Sequence, residues 1–198
     1  PLRKQLWQAT VKAKIRNQAQ LLQRHQIPAD NLIKWAKEVT SGDEENLEAR
    51  AATYYWKNLF PEIPGFVRQR EGPAPNHLLN YSYAVLRAIV ARSLVGSGLL
   101  PTLGIHHHNR YNHYCLADDI MEPYRPFADA LVKELVLQGK GSAELTTDIK
   151  KRLLGVAHTD VLFSDERSPL MVGVQRTTAS LAKCFEGASR KLIYPRLP

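Results

Sequence analysis

Cysteine is scarce in this chain of 198 residues, with Cys115 and Cys184 as its two examples. Two cysteines cannot build the disulfide framework that holds many small secreted domains together. The sequence also has no recognisable signal peptide. We therefore predict a protein of the reducing cytoplasm, whose cysteines pack within apolar helical surroundings.

Long hydrophobic runs and glycine-rich loops are missing too. The longest apolar stretch, residues 78–100, is interrupted by Asn80, Arg87 and Arg92, so it falls short of a membrane span. The sequence contains no glycine-rich phosphate loop, no glycine-flanked nucleophile turn and no aromatic series typical of base stacking. We therefore disfavour membrane proteins, the common nucleotide-binding enzymes and serine or cysteine hydrolases.

Basic residues outnumber acidic ones, 27 against 19, and their placement is uneven. Residues 1–42 hold 8 basic and 2 acidic side chains, and residues 139–198 hold 10 and 6, whereas residues 43–138 hold 9 and 11. Basic flanks would attract a polyanion such as DNA, with a strong dependence on salt. Solvated helix faces would give the same charges without any ligand, so this pattern leaves both interpretations open.

Nearly every long segment has the apolar spacing of a helix, and prolines and glycines separate these segments. The pattern predicts an all-α protein whose central buried helix spans residues 77–95. Residues 161–163 are strand-like but too few to build a sheet. Besides a first helix that ends before Pro28, we predict helices over residues 30–39, 44–59, 77–95, 113–138 (kinked at its prolines), 147–154 and 168–190.

The organisation is that of one helical domain over residues 1–198. We divide it into basic leading helices (1–42), a motif-bearing core (43–138) and C-terminal helices (139–198). The chain begins at Pro1 instead of a starting methionine, so we expect it to be a fragment.

Histidines and acids are concentrated in the middle of the chain. Residues 106–108 are three consecutive histidines, and Asp118, Asp119 and Glu122 follow in an apolar helical context. The pairs Asp118–Glu122 and Asp119–Glu122 each share a helix face, and a divalent cation would relieve their repulsion. A mixed oxygen and nitrogen site favours Mn²⁺ or Mg²⁺ over structural zinc. An exposed acidic face and a polar histidine loop remain the alternative.

Glu48 is a third acid of interest, because the small residues Ala51 and Ala52 that follow it would let another helix approach closely. A surface glutamate paired with a nearby base would have the same sequence. Position alone does not decide between these interpretations.

Four ordered motifs resemble the CRISPR-associated integrase family that captures new spacers, and they are most similar to members of type II systems. The motifs are EARAATYYW at 48–56, LNYSYAVLR at 79–87, LGIHHHN at 103–109 and LADDIMEPYRP at 116–126. The resemblance covers about residues 43–138. It implies a metal-dependent DNA endonuclease and integrase with an all-helical C-terminal catalytic domain.

By its motifs, the resemblance also implies a metal site. Glu48 and Glu122 match the family's two glutamate positions, and Asp119 matches its other acid. His107 has the matching spacing to Glu122, and His106 and His108 are the alternatives. Catalysis is assigned to Glu48, His107 and Glu122, and metal binding to these three and Asp119.

The implied reaction needs basic side chains that hold DNA. Arg110 and Arg125 border the acidic residues and are candidate phosphate clamps. Lys12 and Arg16 of the first helix are candidates for positioning the duplex backbone, and Arg68 in the proline-rich loop is a weaker one.

Partners follow from the resemblance as well. It implies double-stranded DNA as substrate, a small bridging subunit of the adaptation complex and a homodimer formed through an N-terminal β-rich domain. This sequence shows no trace of that domain, which puts the integration activity of this chain in doubt. The competing hypotheses are a non-catalytic, basic helical DNA-binding or assembly subunit and a histidine-rich metal-binding protein that does not bind DNA.

Overall fold

A computed structural model describes residues 2–198 and confirms the all-α class. A short 3₁₀ turn at Glu122–Tyr124 joins two helices, and another at Gly155–His158 joins a helix to a strand. The α-helices of the described residues are α1 (Leu2–Arg24), α2 (Asp30–Glu38), α3 (Leu47–Leu59), α4 (Asn76–Gly96), α5 (Cys115–Met121), α6 (Arg125–Leu137), α7 (Thr147–Leu154) and α8 (Leu170–Phe185). None of the helices in residues 2–198 has the length and apolar character needed to cross a membrane.

Two long helices organise the packing. Helix α1 contacts α2, α3, α5 and α6, and it buries Leu6, Trp7, Val11 and Ile15 almost completely. Helix α4 contacts α5, α6, α7 and α8 and is therefore central, as the sequence predicts. Its outer face is exposed at Arg87.

The predicted helix over residues 113–138 is divided into α5, a 3₁₀ turn and α6. Pro123 lies at the start of the turn and Pro126 at the start of α6, the positions where a missing N–H costs least. The change of direction brings Glu122 to α1, which contacts the turn.

Helix α3 begins at Leu47, three residues later than predicted, because residues 43–46 form a turn. Asp43 and Asn46 both have φ of 53° there. The carboxylate of Asp43 accepts the backbone N–H groups of Leu47 and Glu48, each at 2.9 Å, and so caps the helix. Glu48 is thereby fixed in the first turn of α3, where the helix dipole favours an acid.

The prediction that residues 161–163 cannot build a sheet is wrong. Strand β1 (Asp160–Phe163) pairs antiparallel with β2 (Glu166–Pro169) in a small hairpin. The polar sequence of β2 gives no strand signal, and the pairing depends on packing against α8. A Cβ at Gly173 of α8 would lie 2.7 Å from Val161, so the glycine permits this close approach. Helix α8 accordingly begins at Leu170 and ends at Phe185, inside its predicted range.

A polar cluster lies buried between α3, α4 and α6. The Tyr55 hydroxyl donates to Asp129 at 2.7 Å, and the Tyr83 hydroxyl donates to its other oxygen at 2.5 Å. Burial raises the pKa of Asp129 to about 6, although both tyrosines and the charges of Arg125 and Arg68 act in the opposite direction.

This raised pKa predicts a pH-dependent stability that Asp129→Asn removes. The folded protein binds a proton at Asp129 up to about pH 6, whereas the unfolded chain releases it near the ordinary value of 3.8. The contribution of Asp129 to stability is therefore fully present below pH 3.8 and is lost as the pH rises through 6, by about 3 kcal/mol.

Urea unfolding between pH 4 and pH 7 checks this expectation. The Asn variant, which does not titrate, should gain stability relative to the original chain as the pH rises. Parallel pH profiles of the free energy of unfolding for the two proteins would contradict this expectation. The control is Asp148→Asn, on an exposed turn of α7, which should leave the profile unchanged.

Candidate functional site

Two glutamates from distant parts of the chain meet at one lysine. The ammonium of Lys14, on α1, lies 2.6 Å from Glu48 Oε1 and 2.6 Å from Glu122 Oε2. The exposed fractions of these side chains are 11% for Lys14, 22% for Glu48 and 6% for Glu122. A positive charge thus joins two carboxylates that are separated by 74 residues in sequence and would otherwise repel each other.

Electrostatics hold Glu122 in its charged form. Arg125 lies 2.9 Å from its other oxygen, Oε1. Burial would raise the pKa of Glu122, but the charges of Arg125 and Lys14 keep it below its ordinary value. Burial would likewise lower the pKa of Lys14, but Glu122 and Glu48 raise it. The close contact between Lys14 and Glu122 Oε2, at 2.6 Å, is thus a charge pair that both residues' pKa shifts reflect.

Asp119 holds the histidine loop in place. The side chain is fully buried, and its oxygens accept the backbone N–H of His106 at 2.9 Å and that of His107 at 3.3 Å. The Nδ1–H group of His107 donates to Asp119 Oδ1 at 2.5 Å, so Nε2 of the same ring is left for another partner. The loop closes this tightly because residue 104 is glycine: a Cβ there would lie 2.9 Å from Asp119 Oδ2.

The three consecutive histidines have different environments. His106 stacks on Trp7 with the ring centroids 4.0 Å apart, and burial lowers its pKa. His108 is exposed. The hydrogen bond to Asp119 raises the pKa of His107, and the charges of Glu122 and Glu48 act in the same direction, which places His107 beside the glutamate pair.

The residues of this site suit a hard divalent cation. Within residues 2–198, no three His, Cys, Asp or Glu side chains already surround one common point in the way a metal ion needs, and the Lys14 ammonium lies between the glutamates. The two carboxylates nevertheless converge on a single positive charge, and the His107 imidazole is close enough for their charges to raise its pKa. Two carboxylate oxygens with one imidazole form a donor set suited to Mn²⁺ or Mg²⁺.

The predicted DNA-binding residues differ in whether their side chains are accessible or are held by partners within the protein. Lys12 and Arg16 line a cleft of about 1020 Å³ between α1, the hairpin and the C-terminal segment, and further basic residues contribute to its walls. Arg110 is exposed. Arg68 donates to Asn76 and Asn80 and so fastens the proline-rich loop. Arg125, 31% exposed, is engaged with Glu122 and lies over the ring of Tyr83.

Sequence reasoning missed Lys14, although a signal was present. Lys14 follows Trp7 and Val11 at helical spacing, on the face of α1 that the structure buries. A lysine on an apolar helix face has to find an acidic partner when the helix packs. The stacking of His106 on Trp7 was also not predicted, because it depends on how α1 packs against the histidine loop.

Comparisons with known proteins agree on one family. The family model described as "CRISPR associated protein Cas1" matches residues 2–160. The CRISPR-associated endonuclease Cas1 of Neisseria meningitidis serogroup C is 42% identical over 182 residues, which are 91% of this chain and 59% of that protein. The CRISPR-associated endonuclease Cas1 2 of Pyrobaculum aerophilum is 34% identical over 76% of this chain and 51% of its own length. The chain thus spans between half and three fifths of these relatives.

Solved structures share the fold. A Cas1 protein from Thermotoga maritima aligns with a TM-score of 0.79 at 18% identity, over 93% of this chain and 66% of that one. A casposase bound to its integration product aligns with a TM-score of 0.77 at 19% identity, over 96% of this chain and 66% of that one. At sequence identities this low, the structural similarity establishes a shared arrangement of helices.

Replacing Lys14 by methionine should destabilise the protein strongly. The variant leaves Glu48 and Glu122 buried together without their shared counter-charge, and removal of one partner from a buried ion pair costs about 3–5 kcal/mol. Urea unfolding in the presence of a chelator measures the loss. Lys12→Met, on the same helix but outside this cluster, is the control, and adding Glu48→Gln to Lys14→Met should recover part of the stability. A loss no larger than that of the control would contradict this role.

Gly104→Ala should also destabilise the fold, because the new methyl group would collide with the His107 carbonyl oxygen and crowd Asp119. Overpacking of this kind costs about 1–3 kcal/mol. Gly96→Ala in α4 has open space around its Cβ and should be neutral or stabilising. Equal melting temperatures of the Gly104→Ala and Gly96→Ala variants would contradict this expectation, because they would show that the loop accommodates the added methyl group.

Proposed function

The chain belongs to the Cas1 family of CRISPR-associated proteins, and we propose that it carries the catalytic site of a metal-dependent DNA endonuclease and integrase. In this proposal the protein inserts new spacer DNA into a CRISPR array. The observation that carries it is the convergence of Glu48 and Glu122 on one positive charge, 2.6 Å from each, beside an imidazole held by a buried carboxylate. The names of the related endonucleases and of the casposase with its integration product support the same chemistry.

Glu48, Glu122 and Nε2 of His107 are the proposed ligands of Mn²⁺ or Mg²⁺. Asp119 matches the family's other acid, and both of its oxygens already accept N–H groups from the histidine loop. Its proposed role is therefore to orient His107 and keep Nε2 available. An outer carboxylate of this kind typically contributes 10- to 100-fold to metal affinity or activity.

Lys14 and Arg125 keep the glutamates charged and in place. Lys14 binds the same oxygens that a divalent cation would use, so the ammonium and the cation compete for them. Arg125 binds the remaining oxygen of Glu122 and fixes the rotamer of that side chain. This interaction favours a positioning role for Arg125 over that of a mobile phosphate clamp.

The proposed reaction is a transesterification. A DNA 3′-hydroxyl attacks a phosphodiester of the repeat, and one phosphodiester bond forms as another breaks, so no ATP is needed. When bound, the cation lowers the pKa of the attacking hydroxyl and neutralises charge on the scissile phosphate. Lys12 and Arg16 would hold the duplex backbone along the basic cleft, and Arg110 would contact phosphate closer to His107.

Assembly belongs to the proposal as well. A Cas6-RT-Cas1–Cas2 complex aligns with this chain at a TM-score of 0.76 and 22% identity, over 98% of this chain and 25% of that one. The presence of Cas2 in that complex supports a partner subunit for this protein, and the family resemblance supports a small bridging role for that subunit and a homodimer of this one. The chain spans 59% of its Neisseria relative, and the activity of the whole protein is part of this proposal.

A second candidate is a non-catalytic DNA-binding or assembly subunit. One observation favours it: the charges of Glu48 and Glu122 are already balanced by Lys14 and Arg125. In that case DNA affinity would depend on salt, but it would not change when a chelator is added or when Glu48 and Glu122 are substituted.

The decisive experiment compares Glu48→Gln, His107→Ala and Glu122→Gln with the surface control Glu44→Gln. Nicking and strand joining of duplex DNA in Mn²⁺ should fall at least about 100-fold in the three site variants. Glu44 is an exposed residue paired with Lys4, so its variant should retain activity. Full activity in all three correctly folded site variants would refute the proposal.

Metal binding has an independent readout. Mn²⁺ should raise the melting temperature of the original chain, and more so that of Lys14→Met, in which the competing ammonium is gone. It should not raise the melting temperature of the Glu48→Gln or Glu122→Gln variants. An Mn²⁺-induced shift of equal size in every variant would place the metal elsewhere.

A further inference from the structure

Tyr83 of α4 connects the buried Asp129 to the candidate metal site. Its hydroxyl donates to Asp129 Oδ1 at 2.5 Å, and the guanidinium carbon of Arg125 lies 4.7 Å from the centroid of its ring. Arg125 in turn lies 2.9 Å from Glu122 Oε1. A continuous line of contacts therefore runs from Asp129, through one ring and one guanidinium, to a proposed metal ligand.

The position of the Arg125 guanidinium depends on few contacts. Its Nε is buried and has no hydrogen-bond partner within residues 2–198. A buried, unpaired N–H group costs free energy, so the arginine keeps this position only if its other contacts compensate. The compensating contacts of the guanidinium are the ion pair with Glu122 and the face of the Tyr83 ring.

The ring of Tyr83 is well suited to hold a cation. Cations are attracted to the face of an aromatic ring, more strongly where water is excluded, and Tyr83 is 7% exposed. Its hydrogen bond to a carboxylate makes the ring more electron-rich, because hydrogen-bonded groups polarise one another. Burial and the charge of Asp129 raise the pKa of Tyr83, so the hydroxyl keeps the proton that it donates. The guanidinium of Arg68 lies over the same ring, 5.2 Å from its centroid, as expected of a ring that attracts cations.

Tyr55 of α3 binds the same carboxylate and provides a close comparison. Its hydroxyl donates to Asp129 Oδ2 at 2.7 Å, and its side chain is fully buried. Its ring meets Trp56 edge to face, with the centroids 4.9 Å apart, and within residues 2–198 no guanidinium lies over it. The two tyrosines thus share an acceptor, but Arg125 lies over the ring of Tyr83.

We propose that Tyr83 is a positioning residue for the candidate metal site. Its ring holds the Arg125 guanidinium against Glu122 Oε1, so that Oε2 is left to Lys14 or to the divalent cation that competes with it. Asp129 holds the ring in place through the hydroxyl. In this role Tyr83 acts through Arg125, and the identity of Glu122 as a metal ligand rests on the proposed function.

The first test follows Arg125 itself, by NMR of the whole chain with isotope-labelled arginine in the presence of a chelator. The Nε–H signal of Arg125, assigned by its loss in Arg125→Gln, should exchange slowly with solvent because the group is buried. Tyr83→Phe keeps the ring and should preserve slow exchange. Tyr83→Met removes the ring and should accelerate exchange at least about tenfold. The matched control, Tyr55→Met, should preserve slow exchange.

The second test measures Mn²⁺ affinity by isothermal titration calorimetry. In Tyr83→Met the released guanidinium can compete for Glu122 Oε2, so the Kd should rise about tenfold, as is typical when a residue that orients a metal ligand is lost. Tyr83→Phe and Tyr55→Met should leave the Kd within about twofold of the original value. In an Arg125→Gln background, Tyr83→Met should change the Kd less than about twofold, because no guanidinium is left to misplace.

Three outcomes would overturn the inference. They are slow exchange of the Arg125 signal that persists in Tyr83→Met, a Kd that rises as much in Tyr55→Met as in Tyr83→Met, and an effect of Tyr83→Met that remains undiminished in the Arg125→Gln background.

A further variant decides the matter if Tyr83→Met does not fold. Tyr83→pentafluorophenylalanine keeps the shape of phenylalanine but reverses the charge distribution of the ring, so it should release Arg125 and weaken Mn²⁺ binding. Behaviour equal to that of Tyr83→Phe would refute the role of the ring. A chain that binds no Mn²⁺ would refute the proposed metal site, whereas the Arg125 signal, recorded without metal, separately decides whether Tyr83 holds the guanidinium.

Discussion

The contact of one lysine ammonium with two carboxylates is the interaction on which the site depends. Glu48 lies in the first turn of α3, Glu122 begins the 3₁₀ turn after α5, and both contact Lys14 on α1. Two buried carboxylates cannot approach each other in a low-dielectric interior without a cation between them. The ion pairs therefore bring three helices to one point and preserve two charged oxygen donors there, which is the condition for any later binding of a divalent ion.

Around this centre, other carboxylates hold loops and a helix end in place by accepting hydrogen bonds. Asp119 fixes the histidine loop, Asp118 accepts a hydrogen bond from Asn112 in the segment after it, and Asp43 caps the first turn of α3 that carries Glu48. Asp129 occupies a deeper position between two tyrosine hydroxyls, next to the arginine that binds Glu122. These acids hold the backbone and side chains in place, and Glu48, Glu122 and His107 are the residues to which the proposal assigns metal binding and catalysis. Such division of labour explains why neighbouring acids in one motif have unlike surroundings.

The four motifs at residues 48–126 identified the family, and the match to the Cas1 family model confirms that resemblance. The helical arrangement is shared with solved structures of 18% and 19% identity, so the fold tolerates extensive change in sequence. Within this shared arrangement, the histidines of the chain differ in their contacts, because one ring stacks on Trp7 and the next is hydrogen-bonded to Asp119.

The sequence by itself determined the helical class, most helix positions and the family, because apolar periodicity, prolines and short motifs are local signals. It also predicted Glu48, His107, Asp119 and Glu122 as one group, through motifs that carry their spacing. The sequence did not predict the β-hairpin, because Glu166–Pro169 forms a strand only where it pairs with β1 and packs against α8. The two partners of Lys14 and the engagement of Arg68 and Arg125 with internal acceptors were decided by tertiary structure. Each of these depends on which residues, distant in sequence, come within about 4 Å, and packing alone fixes that distance.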